Sequence, residues 1–360
     1  MSEESKPLVL VTGASGYIAG HCVIQLLEAG YRVRGTIRNL GNKKTVARLE
    51  SLVPAASERL ELVQADLASD GNWSDLVKGC TYVLHVASPF PASAPDDEND
   101  LIRPAVEGTM RVLRACAATR GAVKRVVLTS SVAAVAYGHP PDDHRVFTEE
   151  DWSVVEACDP YQKSKTLAER VAWEFAQDLA ADERFELSVI NPGFVAGPVV
   201  DSAVNTSVEL VRRLMTRAFP ACPKIGFAIV DVRDIAAAHI LAMTTPDAAG
   251  QRYICAGDHY WIVDIARILD AEFRPLGYRV PTGNLPYSLM WLFGRFDKSV
   301  RMILPYFGRK EMVSHAKATA QLGWQPRPAA ETILDTAYSL VERGVVKRTA
   351  AYRPPPTDDA

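Results

Sequence analysis

The 360-residue sequence lacks the features that mark secreted, membrane or nucleic-acid-binding proteins. Its six cysteines stand singly, and no two have the spacing of a zinc site or a C-x-x-C motif. The lysines and arginines form no basic block, and no apolar run approaches the about 18 residues of a membrane-spanning helix. The acidic N-terminus has no basic and apolar signal segment. We therefore expect a cytoplasmic protein with reduced thiols, no metal site, and no nucleic-acid or membrane partner.

The composition favours a folded α/β protein. Hydrophobic residues make up 48% of the chain and the net charge is only −3, which excludes a disordered polymer. Residues 8–12 are an apolar run ended by Gly13, residues 18–29 have helical spacing, and similar strand–helix pairs continue to residue 129. Such repeated units predict a doubly wound parallel sheet of the Rossmann type, with helices on both faces.

Beyond residue 191 the alternation becomes irregular. We predict a dinucleotide-binding domain over residues 1–191 and mainly a smaller C-terminal substrate-binding subdomain over 192–345, with strands near 225–256 returning to the sheet. The aromatic-rich stretch 287–307 can either line a substrate pocket or form a helix–helix core. Residues 353–360 are rich in proline and aspartate, which predicts a disordered tail.

A glycine-rich turn connects the first predicted strand to the first predicted helix. The segment VTGASGYIAG occupies residues 11–20. Gly13 can adopt the positive φ needed to leave the strand, and Gly16 lets the backbone approach a pyrophosphate. The N-terminus of the next helix presents free N–H groups to that anion. Ala19 holds the third position of the pattern, where a small residue is accepted. This placement predicts a dinucleotide site.

The second predicted strand carries arginines where an NAD site would carry an acid. Residues 33–38 contain Arg34 and Arg38 but no Asp or Glu, and Lys44 follows closely. Because guanidinium groups bind phosphates through charge-assisted hydrogen bonds, this pattern indicates the 2′-phosphate of NADP. Asp66, after the third strand, is expected either near the adenine or simply at the start of a loop.

A tyrosine, a lysine and a pair of serines have the spacing that carbonyl chemistry needs. Tyr161 and Lys165 share a helix face, while Ser130 and Ser131 follow a strand whose carboxyl end borders the ligand site. A serine can hold a carbonyl oxygen and the phenol can donate a proton to it. An ammonium about 5 Å away would lower the phenol pKa from about 10 by roughly two units, at an effective dielectric of about 20. The sequence therefore predicts a reductase with Tyr161 as general acid.

Motifs along nearly the whole chain resemble those of one family. They are RGTIRN at 34–39, HVASP at 85–89, LTSSVAAV at 128–135, YQKSKTLAE at 161–169, NPGFVAGP at 191–198, DVRDIAAAH at 231–239 and LGWQPR at 322–327. With the glycine-rich turn, they make the chain similar to the extended short-chain dehydrogenases/reductases. Within that group the chain resembles the dihydroflavonol-4-reductase-like branch.

The resemblance implies which residues form the site. The second serine, Ser131, would be catalytic together with Tyr161 and Lys165, and Arg38 with a nearby lysine would contact the 2′-phosphate of NADPH or NADP. The cofactor-binding residues expected on this basis are Gly13, Ser15, Gly16, Tyr17, Ile18, Arg38, Lys44, Asp66, Leu67, Val86, Ala87, Ser88, Tyr161, Lys165, and, beside the nicotinamide, Pro192 and Gly193.

The function predicted is that of an NADPH-dependent carbonyl reductase, a monomer or homodimer that transfers hydride to a small-molecule aldehyde or ketone. Plant flavonoid reductases commonly carry an Asn shortly after the serine pair, so Ala136 makes a flavonoid a poor expected substrate. One alternative is a hydroxysteroid or sterol dehydrogenase, which normally prefers NAD. Another is a nucleotide-sugar epimerase or dehydratase, for which Arg212, Arg213 and Arg217 could hold a diphosphate. A third is a non-catalytic NADP-sensing protein, a class that usually loses the Tyr–Lys pair.

Overall fold

The computed structural model describes residues 6–88, 97–140, 142–200, 206–296, 298–310 and 312–355. The strands in these ranges are β1 (Leu8–Val11), β2 (Arg32–Ile37), β3 (Leu60–Gln64), β4 (Tyr82–His85), β5 (Arg125–Thr129), β6 (Val146–Phe147), β7 (Glu186–Pro192), β8 (Phe194–Ala196), β9 (Cys222–Pro223), β10 (Gly226–Asp231), β11 (Arg252–Cys255), β12 (His259–Trp261), β13 (Asn284–Leu285) and β14 (Met312–Val313). The helices are α1 (Tyr17–Glu28), α2 (Lys43–Glu50), α3 (Ala56–Arg59), α4 (Trp73–Leu76), α5 (Asn99–Ala117), α6 (Pro160–Asp178), α7 (Thr206–Met215), α8 (Val232–Thr244), α9 (Ile262–Phe273), α10 (Tyr287–Gly294), α11 (Lys298–Ile303), α12 (Ala316–Leu322) and α13 (Ala329–Glu342).

The predicted doubly wound sheet is confirmed. Its strand order is β11-β7-β5-β4-β1-β2-β3, and every pair in it is parallel. At the centre, Val9 of β1 lies opposite Val33 of β2 on one side and Tyr82 of β4 on the other. The chain builds outward from β1 first to one edge and then, from β4, to the other. The carboxyl ends of β1 and β4 therefore form the switch point where such sheets bind ligands.

Both faces of this sheet are covered, as its uninterrupted apolar strands predict. All four residues of β1 are buried. Val9 and Val11 pack in one cluster with residues of α1 and α8, whereas Leu8 and Leu10 pack with α5 on the opposite face. This division follows from the period of two along a strand. It fixes the loop after β1 at the rim of the sheet, above a rigid core.

The C-terminal half contributes to both the large sheet and a separate layer. The sequence predicted that strands near 225–256 return to the large sheet. Strand β11 does so and pairs with β7 at its edge, whereas β10 does not. Instead, β10 pairs with β8 and β12 in a three-stranded sheet, because the chain turns away from the large sheet at Gly193. A cluster formed with α7, α9 and α13 covers this small sheet. Helix α8 packs on α1, so residues after 191 also complete the nucleotide-side core.

The cysteines, the C-terminal residues and the helices bear on three of the sequence predictions. All six cysteines are buried and unpaired. Residues 353–355 form neither helix nor strand, and the rest of the expected tail, 356–360, lies outside the described residues. Among the described helices, none combines the length and apolar character needed to cross a membrane.

Candidate active site

The turn after β1 lies against the loop after β4. Gly13 has φ +67°, and a Cβ on it would lie 2.9 Å from the Ala87 Cβ. The hydroxyl of Thr12 accepts a hydrogen bond from the Ala87 backbone N–H at 3.0 Å. Val86, Ala87 and Ser88 are half-buried. Glycine is therefore required at position 13, because both the positive φ and the close approach of the second loop exclude a side chain.

The N-terminus of α1 is open to an anion. Gly16 is its N-cap residue and supplies no side chain to the helix N–H groups, while Ser15 and Gly16 are exposed. A Cβ on Gly16 would touch only the Gly13 carbonyl oxygen, at 3.1 Å, and otherwise would point away from the protein. The Tyr17 phenol donates to the Gly197 carbonyl at 2.7 Å. Because the Tyr17 side chain is engaged there, it is the Tyr17 backbone that can contact a ligand in the cradle. The cradle fits a pyrophosphate.

Basic side chains lie beside this cradle. Arg38, just beyond the end of β2, is exposed and forms no ion pair with the described residues. Lys44 is exposed in the first turn of α2. Arg48, one turn further along α2, donates to the Ser15 carbonyl at 3.2 Å. The sequence argument missed Arg48, although its spacing from Lys44 within one helix was a usable signal.

Arg34 does not belong to this basic group, contrary to the sequence argument. Its Nε lies 2.8 Å from Glu61 Oε2, and its Nη1 donates to the Leu76 and Lys78 carbonyls, both at 2.8 Å. Arg34 lies within β2 and is held by β3 and the α4 region, whereas Arg38 lies beyond the strand end. Arg38 and Lys44, unlike Arg34, are therefore the exposed basic side chains at this end of β2 and the start of α2.

Asp66 and Leu67 follow β3 at the same rim of the sheet. Asp66 is exposed, and its carboxylate accepts from the Ala68 backbone N–H at 2.9 Å, so it forms a local turn. Leu67 packs against α5, where a Cβ on Gly108 would lie 3.1 Å from the Leu67 Cβ. Asp66 thus has the loop position that was one of its two predicted roles, and Leu67 follows it in the same loop.

The N-terminus of α6 holds the tyrosine and lysine. Asp159 caps the helix by accepting from the Gln162 backbone N–H at 2.9 Å, and the Gln162 side chain accepts from the Asp159 N–H at 3.0 Å. This capping box, with proline as the first helical residue, starts the helix immediately before Tyr161. Tyr161 and Lys165 consequently lie one turn apart on the same face of α6. Tyr161 forms a hydrogen bond with Ser131.

The two adjacent serines have different partners. Ser131 accepts from the Ala133 backbone N–H at 3.1 Å and bonds with Tyr161. Ser130 instead donates to Glu169 Oε2 at 2.5 Å, within a fully buried network. Asn191 joins that network to the site, since its amide donates to Glu169 at 2.8 Å and to the Ser131 carbonyl at 3.1 Å. The geometry thus assigns Ser130 to the interior and Ser131 to the site.

The electrostatics differ from the sequence expectation. Burial raises the pKa of Tyr161, with the Ser131 hydrogen bond opposing this and Asp159 adding to it. The expected lowering of the phenol pKa by Lys165 is therefore wrong. Desolvation acts on Lys165 instead and lowers its pKa to about 8, with the Glu169 carboxylate opposing the shift. The phenol stays protonated at neutral pH, as a proton donor for reduction must.

His85 lies in the same buried region as Lys165. Burial, with a smaller contribution from the Lys165 charge, lowers the pKa of His85 to about 3. Its Nδ1 is 2.9 Å from the Thr12 hydroxyl. A neutral, buried His85 supports the turn after β1.

Pro192 ends β7 and Gly193 follows it, beside the small sheet. A Cβ on Gly193 would lie 2.3 Å from the Ala228 carbonyl oxygen and 3.0 Å from the Ala256 Cβ. Only glycine permits this approach of three backbone segments. Pro192 is buried, and Gly193 is half-buried at the point where the chain leaves the large sheet.

A small cavity lies beside the segment that follows Ser131 and is lined mainly by apolar residues. Its lining residues are Val132, Ala136, Tyr137, Phe194, Gly226, Phe227, Ala228, His259 and Val313. Val132 follows Ser131 directly in the chain. Among the described residues no group of histidine, cysteine or acidic side chains could hold a metal ion.

None of the described residues in the aromatic stretch 287–307 lines this cavity, and only part of the stretch packs into the core. Trp291 and Phe293 are each 48% exposed, and Phe296 is 86% exposed. Tyr306 differs, because its phenol reaches the N-terminus of α6 and donates to Asp159 Oδ2 at 2.9 Å. No local sequence signal marks Tyr306 for this contact, since its partner is 147 residues away.

This combination defines a class of protein. A Rossmann sheet with a glycine cradle at its switch point, and a serine, tyrosine and lysine on the neighbouring strand and helix, is the arrangement of a short-chain dehydrogenase/reductase. The chain belongs to the NAD dependent epimerase/dehydratase family, which it matches over residues 9–257. It is an oxidoreductase with a nicotinamide dinucleotide cofactor, and the predicted extended short-chain class is confirmed.

Relatives with assigned activities are similar over most of the chain. Cinnamoyl-CoA reductase CAD2 of Medicago truncatula is 41% identical over 249 residues, covering 68% of this chain and 74% of that protein. Dihydroflavonol 4-reductase of Hordeum vulgare is 33% identical over 353 residues, covering 95% and 91%. The solved structure of yeast methylglyoxal/isovaleraldehyde reductase Gre2 complexed with NADPH has a TM-score of 0.77 at 31% identity, covering 94% of this chain and 99% of Gre2.

Proposed function

We propose that this protein is an NADPH-dependent carbonyl reductase in which Tyr161 donates the proton. The observation that carries the proposal is the hydrogen bond between Tyr161 and Ser131 at the carboxyl end of the sheet, beside the glycine cradle. The named relatives are reductases, which supports the same class of reaction.

The cofactor is NADPH. The cradle at Gly13 and Gly16 accepts a pyrophosphate, and Arg38 is exposed beside it and pairs with no acidic side chain in the described ranges. The yeast relative is complexed with NADPH. We assign the 2′-phosphate to Arg38 and Lys44, with Arg48 close to the cradle at Ser15. The first turn of α1, the residues after β3 and β4, and the Pro192–Gly193 bend complete the cofactor site.

In the proposed reaction Ser131, Tyr161 and Lys165 each have a separate role. NADPH would supply the hydride that becomes bonded to the carbonyl carbon. Ser131 and Tyr161 both hydrogen-bond the carbonyl oxygen, and Tyr161 transfers its proton to that oxygen, so the product is an alcohol. The pKa of Tyr161, raised by burial, keeps the phenol protonated until charge develops on the oxygen. Lys165, as an ammonium, stabilises the phenolate that remains.

The contacts of the basic residues disfavour a nucleotide-sugar enzyme. Arg212 and Arg213, which the sequence offered as diphosphate ligands, both pair with Glu209 at 2.6 Å.

A sensing protein without catalysis would not need the capped helix that brings Tyr161 to Ser131. A sterol dehydrogenase that prefers NAD would not need the exposed Arg38, because NAD has no 2′-phosphate.

The apolar cavity next to Ser131 supports small or medium apolar aldehydes and ketones as substrates. Ala136 lines it and offers no amide to read a flavonoid ring. We expect dihydroflavonols to be poorer substrates than simple carbonyl compounds. A panel assay that follows NADPH absorbance tests this, and a dihydroflavonol turned over faster than every simple carbonyl would overturn it.

The decisive variant is Tyr161→Phe. It removes one oxygen and keeps the ring, so NADPH affinity should stay within a few-fold while turnover falls by roughly 10²–10⁴. Tyr287→Phe is the matched control, because Tyr287 is 51% exposed on α10 and lies outside the site. Both quantities are measured on the same preparation, by fluorescence titration and by NADPH consumption. Unchanged turnover in Tyr161→Phe would remove the phenol from the reaction.

A further inference from the structure

The cavity near Ser131 has two polar side chains that the reaction does not use, Tyr137 and His259. Phe194 and Phe227 stack at 4.5 Å between ring centroids and form one wall. Backbone and small or aliphatic side chains make up most of the rest. Tyr137 belongs to the cavity and packs edge-to-face on Tyr306. His259 is the remaining lining residue, and a buried nitrogen of its ring has no partner among the described residues.

The His259 ring is held in a fixed position. His259 lies opposite Ala228 in the antiparallel pair of β12 and β10. Its ring packs edge-on against Trp261 at 4.8 Å between centroids. A Cβ on Gly226 would lie 2.3 Å from His259 Nε2, so the ring rests directly on the glycine backbone. This contact explains why position 226 has no side chain.

The Nε2 atom of His259 is buried and has no hydrogen-bond partner among the described residues. Burial lowers the pKa of His259 to about 4, with the Lys310 charge adding to this effect and Asp264 opposing it. The imidazole is therefore neutral near pH 7, and Nε2 is either a donor or an acceptor. A buried polar atom without a partner is costly, and a bound ligand that pairs with it removes that cost.

We propose that His259 is a specificity-determining residue that hydrogen-bonds a hydroxyl group of the substrate, remote from the reacting carbonyl. A hydroxyl matches either state of Nε2, because it can both donate and accept. The substrate class is a carbonyl compound whose apolar body lies along Phe194 and Phe227 and carries that hydroxyl at its far end. This inference rests on the proposed function, since it takes Ser131 as the carbonyl end of the cavity.

The test compares matched pairs of ketones. Phenyl ketones are prepared with the chain between carbonyl and ring lengthened one carbon at a time, each with and without a para-hydroxyl. In the wild type, kcat/KM for the hydroxylated member of the best pair should exceed that of its partner about tenfold, the value of one hydrogen bond to a buried group. In His259→Phe this ratio should fall to about one. His259→Gln, which retains hydrogen-bonding groups, should restore part of it.

His139→Phe is the matched control. His139 also has a buried Nε2 without a hydrogen-bond partner in the described part of the chain, but it packs on Phe147 at 4.6 Å and does not line the cavity. The His139→Phe protein should prefer the hydroxylated ketone as strongly as the wild type does. An unchanged preference in His259→Phe, or an equal loss in His139→Phe, would overturn the proposal.

Binding measurements separate this inference from the proposed reaction. Dissociation constants for each ketone pair are measured by calorimetry on the Tyr161→Phe protein saturated with NADPH, with and without His259→Phe. A preference of about tenfold that disappears in the double variant supports the role of His259 even if the wild type reduces none of the ketones. Equal affinities for both members of every pair, or no detectable binding of any ketone, would overturn it.

Discussion

The Tyr306 phenol donates a hydrogen bond to Asp159 Oδ2 at 2.9 Å, across 147 residues of sequence. The same phenol accepts from Gln162 Nε2 at 2.8 Å. Asp159 and Gln162 are the two halves of the capping box of α6, which places Tyr161. The C-terminal half of the chain therefore holds the start of the helix that carries the proposed proton donor.

Tyr306→Phe should weaken this link without disturbing the ring. Loss of two hydrogen bonds, one of them to a carboxylate, should lower the free energy of unfolding by about 1–3 kcal/mol. Because the first turn of α6 becomes less fixed, kcat should fall several-fold with little change in NADPH affinity. Urea unfolding and steady-state kinetics measure the two effects. Full activity and stability in Tyr306→Phe would show that the capping box suffices alone.

Ser131→Ala and Ser130→Ala should separate catalysis from stability. Ser131→Ala should lower kcat by about 10²–10³, the usual effect of losing one oxyanion donor, and leave stability nearly unchanged. Ser130→Ala removes a bond to the buried Glu169 and should lower stability by about 1.5–3 kcal/mol, with kcat within a few-fold of wild type. The reverse pattern would exchange the roles of the two serines.

The rate of carbonyl reduction should fall as pH rises above about 8, the value to which burial lowers the pKa of Lys165. Below this pH the ammonium is present; above it the side chain is neutral and no longer stabilises phenolate. The log of kcat/KM should then decline with a slope of about one per pH unit. Lys165→Arg keeps its charge at all these pH values, so its profile should be flat in this range even if its rate is lower. A decline shared by both proteins would assign it to another group.

Arg38→Ala should weaken NADPH binding by about one to two orders of magnitude and leave NADH binding nearly unchanged, since each charge-assisted hydrogen bond contributes roughly 1.5–3 kcal/mol. Arg34→Ala is the control, because Arg34 is paired with Glu61 and should not distinguish the two cofactors. Fluorescence titration gives all the dissociation constants. Equal losses for NADPH and NADH in Arg38→Ala would contradict a 2′-phosphate contact.

Gly16→Val should abolish cofactor binding and still permit folding. A side chain at Gly16 would meet only the Gly13 carbonyl oxygen at 3.1 Å, so it would occupy the space outside the N-terminus of α1 where we place the pyrophosphate. Thermal melting with and without NADPH tests this, because a bound ligand raises the melting temperature. A variant that NADPH still stabilises strongly would place the pyrophosphate elsewhere.

The sequence by itself determined the features that depend on neighbouring residues. Continuous apolar strands such as β1, the helix start before Tyr161 and the turn at Gly13 follow from local periodicity, capping and backbone freedom. The order of these units was sufficient for the doubly wound sheet, because parallel strands need right-handed crossovers. The spacing of Tyr161 and Lys165 on one helix face is local in the same sense.

Only the tertiary structure decided which of several similar residues faces the site. Ser130 and Ser131 differ because opposite faces of their backbone meet Glu169 and Tyr161, which belong to another element. Burial is a property of the whole fold. It raises the pKa of Tyr161, opposite to the expected direction, and lowers the pKa of Lys165. Contacts between distant segments, such as Tyr306 with Asp159, leave no local pattern in the sequence, because they depend on how separate elements pack rather than on the residues beside them.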